Sequence, residues 1–157
     1  MADKLILNRN DLRDGRLQLT GNLDPVVFDI TKDKRLSCPS PLDYNLAADP
    51  VREGVLVKGA VATQLRCRCD RCLAYYDQPV NSKDVCHFYE ELTEDLIDLT
   101  ADIREDIVIA FPQKFLCSTQ CKGICPVCGQ NRNARSCTCV DTTDLPSAWN
   151  KLDGLQL

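Results

Sequence analysis

The chain has 157 residues, a formal charge of −4, and 44% hydrophobic but only 6% aromatic side chains. That length fits one domain, or one domain with a small appended module. The acidic balance excludes a strongly basic nucleic-acid binder, and no stretch approaches the ~18 apolar residues of a membrane span.

In chain order, the first ~90 residues read as β structure. Arg16 to Thr20 alternates after the turn residues Asp14-Gly15, and Val26 to Ile30 after Pro25 reads as a strand. The segment Gly54 to Leu65 is the clearest strand, with Val55, Val57, Ala60 and Val61 among small and polar residues. Gly59 marks a bulge or a close approach of backbone. This strand leads into Cys67-Arg68-Cys69, and Val80 to Tyr89 returns beside it. The pair Cys69/Cys72 is therefore expected at a hairpin tip. A helix is expected over about 98–111. Asp98 or Thr100 caps it, and Asp102 sits where the helix dipole favours an acid. Leu99, Ile103, Ile107 and Ala110 form its core stripe, and Pro112 stops it. Glu105 and Asp106 lie off that stripe and read as a solvated face. A last short helix is expected near Pro146 to Leu155, with Trp149 as its apolar anchor.

The cysteines carry the most chemistry. Eight of the eleven form four close pairs: Cys69/Cys72, Cys117/Cys121, Cys125/Cys128 and Cys137/Cys139. Two such pairs make a closed tetrahedral zinc site, so four pairs predict two zinc ions. In Cys125-Pro126-Val127-Cys128-Gly129 the glycine can take the positive φ that closes a metal knuckle. A disulfide framework would need an oxidising compartment. The first ten residues hold no apolar core of signal-peptide length, so a reducing compartment is expected. Contiguity favours Cys125, Cys128, Cys137 and Cys139 as one site, which leaves Cys69, Cys72, Cys117 and Cys121 as the other. The alternative groups Cys117, Cys121, Cys125 and Cys128. Cys38, Cys67 and Cys86 are expected to be spare, although Cys67 stands close enough to compete as a ligand.

Charge is unevenly spread. Lys83 to Asp106 holds nine acids and two bases, whereas Phe111 to Val140 holds four bases and no acid. Both runs can be solvated surface. Four thiolates around each zinc leave about −2, which offsets the bases nearby. If RNA is touched directly, local clusters must do it: Arg66, Arg68 and Arg71 at the first knuckle, and Lys122, Arg132 and Arg135 at the second. The acids from Glu90 to Asp106 would repel RNA and suit a basic protein. His87 is the only histidine. Its neighbour Cys86 would point to the opposite strand face, so the two make a poor catalytic dyad. There is no phosphate-binding loop or dinucleotide fingerprint. No catalytic residue and no small-molecule substrate are assigned, and a non-enzyme is expected.

The order of these features resembles one family. Cys69-x-Arg71-Cys72-Leu73 is followed by an acidic stretch and by Asp98-Leu99-x4-Arg104-Glu105-Asp106-Ile107-x3-Phe111-Pro112. Then come Cys117-x3-Cys121-Lys122-Gly123-Ile124-Cys125-Pro126-Val127-Cys128-Gly129, Cys137-x-Cys139 and Trp149-x2-Leu152. This resembles the YceD family, the large ribosomal RNA subunit accumulation proteins. Ile124 and Arg132 stand where that family more usually has Leu. The resemblance implies a non-enzymatic factor in synthesis, processing or stability of 23S ribosomal RNA. It places the protein in the bacterial cytoplasm or the plastid or organellar matrix. The implied partner is a large-subunit RNA precursor or a ribosomal protein, with no membrane. A redox-responsive zinc protein of chaperone type is the competing reading, because the same thiolates can be oxidised once metal leaves. The expected fold class is α+β. An antiparallel β-rich domain over 1–115 carries one core helix, and a zinc-ribbon-like module with a short C-terminal helix covers 116–157.

Overall fold

The computed structural model describes residues 4–12, 15–29, 34–90 and 95–139. It is mostly antiparallel β structure with one helix among the described residues. Asp14 of the expected turn, Ile30, and the expected helix near Pro146 to Leu155 with Trp149 lie outside them.

Strands β1 (Ile6–Asn8), β2 (Leu17–Leu23), β3 (Leu36–Ser37), β4 (Leu42–Val51), β5 (Gly54–Arg68), β6 (Tyr75–Glu90) and β7 (Leu96–Asp98) precede helix α1 (Thr100–Ile109). β5 is the hub. β6 pairs with it along its whole length, while β4 and then β3 share its other side, and β2 extends the sheet beyond β4. Odd-numbered residues of β5 face inward: Val55, Val57, Val61, Leu65 and Cys67 are all at most 1% exposed. Leu42, Leu46 and Ala48 of β4 join them, and Phe28, Leu99, Ile103 and Ile107 cover the layer. Fully burying each large apolar side chain of this kind stabilises the fold by roughly 1.5–3 kcal/mol.

Gly59 is a close approach. A Cβ there would lie 2.2 Å from the Asn45 carbonyl oxygen and 2.8 Å from Leu46 Cα. The bulge itself falls on the facing strand. Gly59 pairs with Val85 and Val61 with Ser82, so Lys83 and Asp84 together oppose Ala60. The extra residue inverts the alternation of β6. Tyr76, Gln78 and Val80 face inward before it, and Val85, His87 and Tyr89 face inward after it.

Two expectations are corrected in this framework. Val26 to Asp29, the described part of the expected strand Val26 to Ile30, is not a strand, because Pro25–Phe28 form a 3-10 turn. Pro25 fixes a helical φ at the turn's start, and the Asp24 carboxylate accepts the Val26 N–H at 2.8 Å. Asp29 then ends the turn in the left-handed region at φ 49°. The second correction concerns Ala110, which is exposed, while Leu99, Ile103 and Ile107 are buried as their spacing predicts.

The start of α1 is held from two sides. Asp98 accepts the Thr100 N–H at 3.0 Å, which satisfies one free donor of the first turn. Thr100 does not cap; its hydroxyl accepts the Leu5 N–H at 2.9 Å. β1 pairs with β7 just before the helix, so this N-terminal strap fixes where α1 begins.

Candidate metal centres

The tip of the β5–β6 hairpin is Cys69-Asp70-Arg71-Cys72. Its knuckle closes through Leu73 N–H to the Cys69 carbonyl at 2.9 Å and Cys69 N–H to the Ala74 carbonyl at 2.9 Å. The second knuckle, Cys125 to Cys128, has the same closure: Gly129 N–H donates to the Cys125 carbonyl at 2.8 Å. Residue 129 is a glycine at φ +71°, whereas its counterpart Leu73 sits at φ +60°. A left-handed conformation costs a residue with a Cβ about 1–2 kcal/mol, so Leu73 is a strained position held by the closed knuckle.

The structure gathers Cys69, Cys72, Cys117 and Cys121 into one cluster and Cys125, Cys128, Cys137 and Cys139 into another. Within each, all four sulfurs lie within 4.8 Å of one another. In the first cluster Cys69 Sγ is 3.8 Å from Cys121 Sγ, and Cys72 Sγ is 3.6 Å from Cys117 Sγ. A regular tetrahedron with 2.3 Å zinc–sulfur arms has edges of about 3.8 Å. The donor set therefore fits a tetrahedral thiophilic cation in both chemistry and size. Cys67 is not in either cluster; it is fully buried in the main core, because its parity on β5 points it inward. Cys38 is half-buried against Thr63, and Cys86 is exposed.

The first centre is tied to the core. Asp70 N–H donates to the Phe115 carbonyl at 2.7 Å, and Phe115 N–H returns to the Asp70 carboxylate at 3.2 Å. Phe115 is buried, with the Arg35 guanidinium 5.2 Å over its ring. Three of the four cysteines here are buried, against only Cys125 in the second centre. The second centre is thus the more open to water.

The thiols do not titrate alike. Burial pushes Cys69 up, but backbone N–H groups of Cys117, Cys72 and Arg71 outweigh it and hold this thiol at about 6. Backbone N–H groups of Cys128 and Val127 likewise hold Cys125 at about 6. Burial, then the neighbouring thiols of Cys121, Cys72 and Cys69, pushes Cys117 up to about 12. Hydrogen bonding to Cys128, then burial, pushes Cys139 up to about 12. Like charges at under 5 Å resist joint ionisation, so each cluster keeps some protons until a cation replaces them.

The clusters are joined by hydrogen bonds. Ile124 N–H donates to the Arg71 carbonyl at 3.1 Å, and Arg71 Nη1 donates to the Cys121 carbonyl at 3.2 Å. Gly123 makes room for this contact: at φ +72°, a Cβ there would stand 3.2 Å from the Arg71 carbonyl oxygen. From the second centre's loop, Asn133 Nδ2 donates to Cys121 Sγ at 3.3 Å, and its Oδ1 accepts the Lys122 N–H at 2.8 Å. Arg132 N–H donates to the Gly123 carbonyl at 2.9 Å, and Arg132 Nη2 reaches Cys125 Sγ at 3.8 Å.

The six basic residues singled out from the sequence are placed unequally. Arg66 and Arg68 lie exposed on the outer face of β5, opposite Asp77 and Tyr75. Arg66 is 3.7 Å from Asp77 and 5.8 Å from the Tyr75 ring, and Arg68 Nε donates to the Leu73 carbonyl at 3.4 Å. Lys122 and Arg135 are exposed, while Arg71 and Arg132 are engaged with the cysteine segments.

One polar cluster departs from the solvated face expected of α1. Asp106 is half-buried and lies 2.6 Å from His87 Nε2, and the Tyr89 hydroxyl donates to Asp102 at 2.5 Å. Burial, then the hydrogen bond to Asp102, raises the Tyr89 phenol. The β6 bulge explains the departure, since it turns His87 and Tyr89 inward under α1. Glu105 is exposed, as its position predicts. No helix among the described residues is long and apolar enough to cross a membrane.

Residues 88–156 match the family model described as large ribosomal RNA subunit accumulation protein YceD. An uncharacterized protein of Mycobacterium tuberculosis (strain H37Rv) is 30% identical over 103 residues, covering 56% of this chain and 50% of the relative. An uncharacterized protein of Mycobacterium bovis matches with the same identity and coverage. The large ribosomal RNA subunit accumulation protein YCED homolog 1, chloroplastic, of Arabidopsis thaliana is 35% identical over 63 residues, covering 40% of this chain and 19% of the relative. The chain thus spans about half the length, or less, of these curated relatives. No solved structure matches it.

Proposed function

We propose, from the match of residues 88–156 to the YceD family of large ribosomal RNA subunit accumulation proteins, that this protein is a non-enzymatic factor in the synthesis, processing or stability of 23S ribosomal RNA. The observation that carries the reading is the overlap of the family match with the cysteine clusters. The family-matching segment contains Cys117, Cys121, Cys125, Cys128, Cys137 and Cys139, six of the eight clustered cysteines.

Each cluster takes one zinc ion in this reading. Cys69, Cys72, Cys117 and Cys121 hold the first, and Cys125, Cys128, Cys137 and Cys139 the second. A four-thiolate zinc site is saturated, so the metal supplies structure and fixes the knuckles without offering an open position for chemistry. The chain divides into a β-rich domain over 1–115 and a zinc-ribbon-like module over 116–157, and the first centre staples the two. Arg66, Arg68, Arg71, Lys122, Arg132 and Arg135 provide the RNA-facing cations. The exposed arginines on β5 favour this reading, and the charge of −4 requires such local clusters. The partner is a large-subunit RNA precursor or a ribosomal protein bound to it, in a bacterial cytoplasm or a plastid or organellar matrix.

The test is co-sedimentation with large-subunit precursors for the zinc-loaded chain, with Arg68, Arg71, Arg132 and Arg135 reversed to glutamate together. Folding and zinc content are checked in parallel. Association that disappears on reversal supports RNA contact at the knuckles, and association that survives it refutes that contact. Loss on neutralising Glu90, Glu91, Glu94 and Asp95 instead assigns docking to a basic protein.

A further inference from the structure

The two clusters are not separate modules. Between the second centre's ligand pairs runs a loop whose residue Asn133 reaches back to the first centre. Its Nδ2 donates to Cys121 Sγ at 3.3 Å, and its Oδ1 accepts the N–H of Lys122, the residue after that ligand, at 2.8 Å. Asn133 is itself fixed within its loop. Its backbone N–H and its Nδ2 both meet Asn131 Oδ1, each at 2.9 Å, and Arg132 N–H holds the Gly123 carbonyl at 2.9 Å. The pose of Asn133 therefore depends on the closure of a loop whose ends are Cys128 and Cys137.

A thiolate bound to zinc carries excess negative charge, and an N–H donor aimed at it stabilises the bound state. Removing such an outer partner typically weakens metal binding 10–100-fold. Here the donor for the first centre is supplied by the second centre's loop. We propose that Asn133 is a positioning residue that couples the centres, so that metal in the second, more open centre raises the affinity of the first. Coupling of binding is reciprocal, so metal in the first centre tightens the second by the same factor. The second centre meets chelators and oxidants first, and its loss loosens the knuckle that presents Arg71. This rests on the reading of both clusters as metal sites.

The experiment follows each cysteine separately. The zinc-loaded full chain is challenged with a chelator, and alkylation of Cys72, Cys117, Cys128 and Cys139 is timed by peptide mass spectrometry. In the unaltered chain Cys128 and Cys139 label before Cys72 and Cys117. Asn133→Ala speeds labelling of Cys72 and Cys117 about 10-fold. Cys128→Ser with Cys139→Ser, which opens the second centre, speeds them by a similar factor. Combining all three changes adds no more than either alone, because both act through the same hydrogen bond. The inference is overturned if Asn133→Ala labels like the unaltered chain, or if the two effects multiply. A chain that binds no metal in either cluster refutes the underlying metal reading instead, and that outcome is visible before any variant is made.

Discussion

Loss of the first centre should damage more of the fold than loss of the second. Between Cys72 and Cys117 lie 44 residues, and between Cys128 and Cys137 only 8. The entropic cost of closing a loop grows by ~0.6 kcal/mol per doubling of its length. The ratio is about two and a half doublings, so a metal at the first centre removes ~1.5 kcal/mol more unfolded-state freedom than one at the second. Coupling through Asn133 does not alter this difference, since reciprocal coupling lowers both variants alike. For a chain of this size ~1.5 kcal/mol corresponds to about 3–6 °C in melting temperature. Cys72→Ser should therefore melt that much below Cys128→Ser when both are saturated with zinc. The loss should also be visible in the sheet, because Cys69 and Cys72 cap β5 and β6, and Asp70 is bonded to Phe115 of the core. Amide exchange along the Cys67 to Tyr76 end of the hairpin should quicken in both variants, and more in Cys72→Ser than in Cys128→Ser. A Cys72→Ser chain that keeps the full melting transition while Cys128→Ser loses it refutes the reasoning.

Other expectations follow from single residues. Leu73→Gly relieves a left-handed leucine and should stabilise the metal-loaded chain by up to about 1 kcal/mol, read by chemical denaturation. Gly59→Ala drives a Cβ onto the Asn45 carbonyl and should cost about 3 kcal/mol, at the upper end of overpacking losses, by the same assay. Tyr89→Phe strips the Asp102 carboxylate of its phenol donor and should cost about 1–3 kcal/mol. Metal uptake should release protons, since Cys117 and Cys139 stand at about 12 before a cation arrives. Affinity should therefore rise with pH and fall as pH drops, and dye-detected release at pH 7 should reach about two protons or more per ion.

Much of the site was legible in the sequence because cysteine pairs at knuckle spacing carry their own geometry. The helix stripe at Leu99, Ile103 and Ile107 was legible for the same reason: a period of 3.6 needs no knowledge of the partner surface. Val26 to Ile30 misled, because apolar content hid a turn that Asp24 and Pro25 were already signalling. Asp106 misled for a longer-range reason. Its burial depends on an extra residue in β6, and only pairing with β5 reveals that Lys83 and Asp84 share one opposite position. Asn133 carries an Asn-x-Asn spacing with Asn131 typical of a local side-chain turn, yet its bond to Cys121 joins residues 12 apart through a loop closed by other cysteines. No local pattern encodes such a contact.

The most direct measurement of the central claim is the metal content of the purified chain by elemental analysis together with native mass spectrometry. The account predicts about two zinc ions per chain, in four-thiolate coordination, with no metal bound by Cys38, Cys67 or Cys86. One ion per chain, or a folded chain holding none, contradicts it.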